Sequence, residues 1–319
     1  MIISLQKNLS AGNRRDLEAA LSRLLPGCVL RRKAAGLAAV LAEPAADAVP
    51  LIENLPGVAG VFLTEAEHCP LACSGKHASF SAPLNFGRGP VFIAGPCAVE
   101  DEGSYLAAAA ALKAAGAHAL RAAIFKPRSS PYAFQGIGWA GLKIIAKAKK
   151  STGLPLVTEA TDTRQVERLS SVCDVLQIGA RNMRNYELLK EAGRSGRAVL
   201  LKRAMRATLR EWLLSAEYLL RHGAKKLILC ERGDSVFSPG CPALDFKLMR
   251  EAKKLTRLPV LADPSHASRD REVAKALALR ALRSGADGLL VEASLSPETA
   301  LVDGRQTMTV DSFRALTGK

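Results

Sequence analysis

The sequence predicts an α/β chain in which a (β/α)8 TIM barrel follows a small α+β, ferredoxin-like domain. Three observations predict it. Residues 91–319 repeat an apolar run of strand length followed by an Ala/Leu-rich segment of helical spacing, eight times over, which is the period of such a barrel. Residues 1–67 alternate shorter pieces in the order βαββαβ, the layout of a split-βαβ unit. Residues 68–90 carry many small residues and no period, and read as a linker.

In the first region MIISLQ reads as a strand, and NRRDLEAALSRLL as a helix halted by Pro26-Gly27. CVLRRKA and LAAVLAE follow as strands, PLIENL as a short helix and VAGVFLT as a last strand. In the second region the strands are VFIAG, HALRA, LPLVTE, DVLQIG, AVLLK, KLILC, LPVLAD and GLLVE. Intervening segments such as SYLAAAAALKAAGA and REVAKALALRALRSGA have helical spacing. An open doubly wound sheet rarely needs eight such units, and no GxGxxG follows the first strand.

Composition narrows the class. The 48% hydrophobic content is that of a globular protein, and no run approaches the ~18 apolar residues of a membrane span. The start, MIISLQKNLS, lacks the layout of a signal peptide, and seven scattered cysteines favour a reducing compartment, so a cytoplasmic protein is expected. A net charge of +15 invites a nucleic-acid reading. The basic residues are dispersed, however, with only four Tyr and two Trp to serve as stacking platforms. No nucleic-acid or membrane partner is expected; small phosphorylated metabolites suit a basic surface.

The ends of the eight strands carry the chemistry. Cys97 follows the first run, and Arg121, Lys126 and Arg128 follow the second, within RAAIFKPRSSPY. Glu159 ends the third, Arg181 follows the fourth, Lys202 and Arg203 end the fifth, and Glu231 and Arg232 end the sixth. Asp263 and His266 end the seventh and Glu292 the eighth, with Asp303 shortly beyond. Barrel enzymes keep their active sites on that face. Cys97, His266, Glu292 and Asp303 offer S, N and O donors suited to a borderline divalent transition ion. Arg121, Lys126, Arg128, Arg181, Lys202, Arg203 and Arg232 converge at a cost in repulsion that a polyanionic ligand relieves.

The motifs AGPCAVE, RAAIFKPRSSPYAFQG, LQIGARNM, LLKRAM, LCERG, ADPSH and GLLVE followed by LVDG occur in order from residue 91. In these the chain resembles the 3-deoxy-D-arabino-heptulosonate 7-phosphate (DAHP) synthases, which open the shikimate pathway to the aromatic amino acids. The first domain resembles, by layout and position, the ferredoxin-like regulatory domain of the short-chain subgroup. The resemblance implies a metal-dependent transferase that condenses phosphoenolpyruvate with erythrose 4-phosphate and water, giving DAHP and phosphate. It implies Cys97, His266, Glu292 and Asp303 as ligands of one divalent ion (Mn, Fe, Co or Zn). Arg121, Lys126, Arg181, Lys202 and Arg232 would surround phosphoenolpyruvate, and Arg128 and Ser129 would meet the erythrose 4-phosphate end. Lys202 is the candidate for moving protons, beside Cys97 and His266 at the metal. An aromatic amino acid acting as inhibitor at the first domain and a homo-oligomer, dimer or tetramer, are further expectations.

Several positions depart from that family. Its usual Gly-Gly is Ala122-Ala123 here, which is expected to crowd the turn. The loop DSVFSPGCPALD lacks a Thr-Arg pair, the Gly after DPSH is replaced within ASRD, and Ser294 stands for a histidine. The rival reading of the same fold is 3-deoxy-D-manno-octulosonate 8-phosphate synthase, which takes arabinose 5-phosphate; KPRSSPY favours the four-carbon acceptor. A catalytically silent regulatory barrel is the alternative of another class, and retention of all four ligand candidates weighs against it. In the linker, His68, Cys69, Cys73 and His77 form a cluster that could bind zinc, at a spacing that matches no standard finger.

Overall fold

The structure, a computed structural model, describes residues 1–6, 9–33, 36–40, 46–76, 82–234 and 244–319. It divides into two compact units, Met1–Ser74 and Gly75–Lys319.

The first unit contains β1 (Ile2–Leu5), α1 (Ala11–Leu24), β2 (Val29–Lys33), β3 (Gly36–Val40), α2 (Val49–Glu53) and β4 (Val58–Phe62). This is the expected βαββαβ order, and the four strands form an antiparallel sheet in the order β2-β3-β1-β4. Helix α1 starts where Ser10 Oγ accepts from Asn13 N, and its Leu17 and Leu21, four apart, bury one stripe. That stripe joins Ile3, Leu37 and Ile52 in a core of the unit's own.

The stretch 68–90 is not the plain tether its composition suggests. Two short helices, α3 (Glu65–His68) and α4 (Pro70–Cys73), close the first unit, and Cys69 and Ala72 are buried there. The overlooked signals are a Thr64/Glu67 capping box and Pro70 at the start of the second turn. On the other side of the division, Leu84 packs against Val91, Ala119, Val175 and Ala198, near the starts of the barrel strands.

The second unit is a closed barrel. Its strands are β5 (Val91–Gly95), β6 (Ala119–Arg121), β7 (Leu156–Ala160), β8 (Val175–Ile178), β9 (Ala198–Lys202), β10 (Leu227–Glu231), β11 (Val260–Ala262) and β12 (Gly288–Ser294). Each pairs in parallel with its neighbour in sequence, and β12 pairs with both β11 and β5. Strands covered on both faces are mostly apolar, which is why all eight were legible as strand-length runs, their polar members being Thr158, Gln177 and the residues at the carboxyl ends. Outside lie α5 (Glu102–Ala114), α6 (Gly141–Thr152), α7 (Thr163–Ser170), α8 (Tyr186–Arg194), α9 (Leu209–Arg221) and α10 (Phe246–Thr256). The short α11 (Pro264–Ser268), then α12 (Arg271–Arg283), a two-residue strand β13 (Met308–Thr309) and α13 (Val310–Thr317) complete the ring. Side-chain N-caps such as Asp101, Asp162, Thr208 and Asp270 begin these helices and turn the chain back down the barrel.

Candidate active site

Parallel strands in register bring their carboxyl ends to one face. A cavity of about 510 Å³ opens there, and segments from the ends of β6 through β12 all contribute to its wall. Lys126, Arg181, Lys202, Arg232, His266 and Asp303, all singled out from the sequence, line it. Arg121, Cys97 and Glu292 are buried and sit behind the lining.

Cys97, His266, Glu292 and Asp303 each present a donor atom within 4.8 Å of the others. Among the described residues this is the one group of three or more Cys, His, Asp or Glu able to hold an ion. Cys97 Sγ donates to Asp303 Oδ2 at 3.1 Å, and His266 Nε2 lies 3.4 Å from Glu292 Oε1. Two of the donors, His266 and Glu292, are held from behind. Asp263 caps α11, accepting at Oδ1 from His266 N (3.1 Å), while its Oδ2 lies 2.7 Å from His266 Nδ1. Gln306 Nε2 donates to Glu292 Oε2 at 2.6 Å, and Glu292 N donates to Ser265 Oγ at 3.0 Å. Asp303 adopts φ 56°, a left-handed conformation that aspartate tolerates better than most residues.

The donor set fits a transition ion. Glu292 Oε1 is buried and accepts no well-formed hydrogen bond from the described residues, although Arg121 Nη1 is 3.2 Å away. Burial pushes the Cys97 thiol well up, and the Glu292 carboxylate adds to this; Lys126 and Arg121 pull the other way without prevailing. A nearby cation is what such a thiol needs to ionise. Burial also holds His266 below its ordinary value, against the carboxylates of Asp263 and Glu292, so the ring is kept in the neutral form that binds metals. For Glu292, burial is the largest single influence and acts upward. His266, Arg121 and Lys126 together outweigh it and bring the carboxyl down to about 2.

The cations fall into two groups. Lys202 Nζ donates to Asp263 Oδ2 at 2.5 Å, Lys126 Nζ lies 4.0 Å from Glu159 Oε2, and Arg232 Nη2 donates to the His266 carbonyl at 3.1 Å. Arg181 Nη1 donates to the Pro127 carbonyl at 3.4 Å, so the segments after β6 and β8 meet at the wall. These four, with Arg121, face one region. Arg203 does not join them. Its guanidinium is gripped by buried Glu231 and by Asp234 at 2.9 Å, and also donates to the Ala207 carbonyl. A strand-end arginine beside a strand-end glutamate is a structural clamp here.

Arg128 and Ser129 are also not in the cavity wall. Pro127 is the last residue of that segment to line it; Ser129 to Tyr132 are solvent-exposed. Ala122 and Ala123 do not crowd the turn: both are buried, neither has positive φ, and their backbone groups pair with Val157 and Val99 at 2.9 Å. In the atypical loop, residues 235–243 lie outside the described residues. So does His77, and His68, Cys69 and Cys73 form no metal-holding group among the described residues.

Sequence reasoning gave no role to Asp263, Gln177, Gln306, Arg269 or Arg305, though the last four line the cavity. Gln177 was discernible as the polar residue inside DVLQIG; its Nε2 donates to Glu159 Oε2 at 3.0 Å. Gly179 follows from the same carboxylate, since a β-carbon there would meet Glu159 Oε1 at 2.1 Å. Gln306 carried no comparable signal.

The comparisons with known proteins agree with this geometry. Residues 78–318 match the DAHP synthetase I family. The phospho-2-dehydro-3-deoxyheptonate aldolase of Thermotoga maritima is 40% identical over 225 residues, covering 70% of this chain and 67% of that protein. The 2-dehydro-3-deoxyphosphooctonate aldolase of Syntrophotalea carbinolica is 32% identical over 247 residues, covering 72% and 88%. Among solved structures, the Thermotoga maritima DAHP synthase superposes with a TM-score of 0.82 at 31% identity, covering 99% of this chain and 95% of that one. A truncated form of the Thermotoga enzyme covers 74% of this chain with a TM-score of 0.68. On the family match and on this agreement of fold along the whole chain, the protein is a member of the DAHP synthetase I family.

Proposed function

We propose that the chain joins phosphoenolpyruvate to erythrose 4-phosphate with water, releasing DAHP and inorganic phosphate. The observation that carries this reading is one cavity walled by Lys126, Arg181, Lys202 and Arg232 and backed by the Cys97/His266/Glu292/Asp303 group. Its volume, about 510 Å³, is in the range of small-molecule sites.

Cys97, His266, Glu292 and Asp303 would hold one divalent ion, Mn, Fe, Co or Zn, which would supply Lewis acidity at the acceptor's aldehyde. Arg121, Lys126, Arg181, Lys202 and Arg232 bind the carboxylate and phosphate of phosphoenolpyruvate and neutralise them, with Arg121, Lys126 and Lys202 buried at the base of the site. C3 of phosphoenolpyruvate attacks the aldehyde carbon, and the ammonium of Lys202 gives its proton to the oxygen that becomes a hydroxyl. Water adds at C2 and returns a proton to the Lys202 amine; the C2 hydroxyl then becomes the ketone as the C2–O bond to phosphate breaks, its proton leaving with the phosphate. Asp263 keeps Lys202 Nζ at its station throughout. Arg128 and Ser129 are assigned to the acceptor's phosphate end on the KPRS motif, which reaches the cavity wall at Pro127.

The relatives named for the octulosonate reaction share less identity than the Thermotoga heptonate enzyme, and KPRSSPY supports the four-carbon acceptor. The test is loss of phosphoenolpyruvate with erythrose 4-phosphate and arabinose 5-phosphate side by side, with and without chelator. Turnover with arabinose 5-phosphate alone would overturn the acceptor, and none with either would point to the silent barrel. The first unit, matched along with the barrel by the Thermotoga structure that covers 99% of this chain, is read as a regulatory domain for an aromatic amino acid. A cytoplasmic homo-oligomer, dimer or tetramer, completes the reading.

A further inference from the structure

Arg269 closes α11, the short helix that carries His266, in a conformation that suits glycine. Its φ is 59° and ψ 16°, and its backbone N–H donates to the Ser265 carbonyl at 3.3 Å. A left-handed residue at that point is a common helix stop, usually glycine. A residue with a β-carbon there costs roughly 1 kcal/mol. A purely structural cap would gain from glycine. The arginine is retained at that cost in a position that lines the active-site cavity, beside the walls formed by Arg181 and Arg232.

The three guanidiniums are mutually unfavourable. All three line the one cavity, with Arg232 Nη2 on the His266 carbonyl at 3.1 Å, and like charges gathered in one wall repel. Strain at one member and repulsion among all three are both offset by a single ligand, a phosphoryl dianion with oxygens enough for several forks. Arg181 and Arg232 are already assigned to phosphoenolpyruvate, so that dianion is the phosphoryl group the reaction releases.

We propose that Arg269 completes a three-arginine phosphate subsite with Arg181 and Arg232, holding the phosphoryl group of phosphoenolpyruvate until it departs as inorganic phosphate. This rests on the proposed function for the identity of the donor; the subsite itself rests on the cavity.

Inorganic phosphate, titrated calorimetrically into the full-length protein at fixed ionic strength, is the direct probe. Losing one charge-assisted contact in Arg269→Gly should weaken phosphate about tenfold. The KM for phosphoenolpyruvate should rise by a similar factor, with the KM for erythrose 4-phosphate changed less than about twofold. Arg269→Lys should fall between, and Arg283→Ala, which removes an exposed charge at the end of α12, should change nothing. Arg269→Gly should melt no lower than the parent, because glycine relieves the backbone. Unchanged phosphate affinity in Arg269→Gly, an equal loss in Arg283→Ala, or a rise confined to the KM of erythrose 4-phosphate would each overturn the proposal. A protein without synthase activity that still loses phosphate affinity in Arg269→Gly would keep the subsite and remove only the proposed function.

Discussion

Lys202 Nζ and Asp263 Oδ2 lie 2.5 Å apart, on the ends of β9 and just beyond β11, and both side chains are sealed from solvent. The same carboxylate oxygen is 2.7 Å from His266 Nδ1. One carboxylate therefore orients both the lysine assigned to proton transfer and a histidine assigned to the metal. Burial alone would push Asp263 up; the charges of His266 and Lys202 hold it well below the usual carboxylate range.

Asp263→Asn should cost turnover about 10²-fold or more, because proton transfer depends on where Lys202 Nζ sits. It should also destabilise the fold by about 3–5 kcal/mol, since a buried ammonium loses its partner. Lys202→Ala should lose turnover as severely. Lys147→Ala should not, because Lys147 is an exposed residue of α6 paired with exposed Glu102. Steady-state rates and urea melts of the three variants decide it; equal behaviour of Lys202→Ala and Lys147→Ala would refute the assignment of Lys202.

Cys97→Ala should lose metal while keeping the fold. The side chain sits in a small cluster with Ala98, Val302 and Phe134, so removing the sulfur leaves a modest void worth on the order of 1 kcal/mol. Metal content after dialysis, together with the sulfur-to-cobalt absorption of the Co²⁺-loaded protein, should show stoichiometric ion in the parent and little in the variant. A fully loaded alanine variant with undiminished turnover would remove Cys97 from the ligands.

The barrel was legible because each strand is buried on both faces and bounded by caps and glycines, so periodicity and punctuation coincide. The donors of the site were legible because strand ends are forced to one face. Partnership was not. Arg203 and Lys202 are adjacent at the end of β9, yet one is a clamp on Glu231 and the other faces the cavity, a difference set by which neighbour's carboxylate lies opposite. Pro127 is the last residue of the KPRS motif in the cavity wall and Arg128 lies beyond it, because a motif gives order along the chain and not the path of the backbone. Gln306 follows β12 by a loop whose path no local pattern predicts.

Stability of the metal-free protein should fall as pH falls. Glu292, with its folded value at about 2 against an ordinary 4.5, contributes stability that is fully present above 4.5 and lost on approach to 2. Asp263 acts in the same sense from 3.8 downward. His266 is held below 6.5, so protonation of the unfolded chain favours unfolding as pH drops beneath that value. All three signs agree. The Glu292 share is roughly 3 kcal/mol at most. Thermal melts from pH 7 to 3 should stay level to about 6.5, then decline, steepening below about 4.5. Glu292→Gln should flatten the steep part; a curve unchanged in slope would show that its carboxyl is not perturbed by folding.

Every residue assigned to chemistry lies in the second unit, and the first has its own core around Ile3, Leu17, Leu21, Leu37 and Ile52. A chain starting at Gly75 should therefore keep its catalysis. It retains Leu84, which packs on Val91 and Ala119. A chain starting at Gly89 loses that leucine and should be less stable by about 2–5 kcal/mol, the usual loss for removing a buried leucine. If tyrosine or phenylalanine inhibits the full-length protein, the inhibition is a coupling free energy between two sites, and removing one site must abolish it. Initial rates of the full chain and the Gly75 chain against each amino acid measure this directly. An active, well-folded Gly75 chain that is still inhibited would put the effector site on the barrel and leave the first unit without the regulatory role proposed for it.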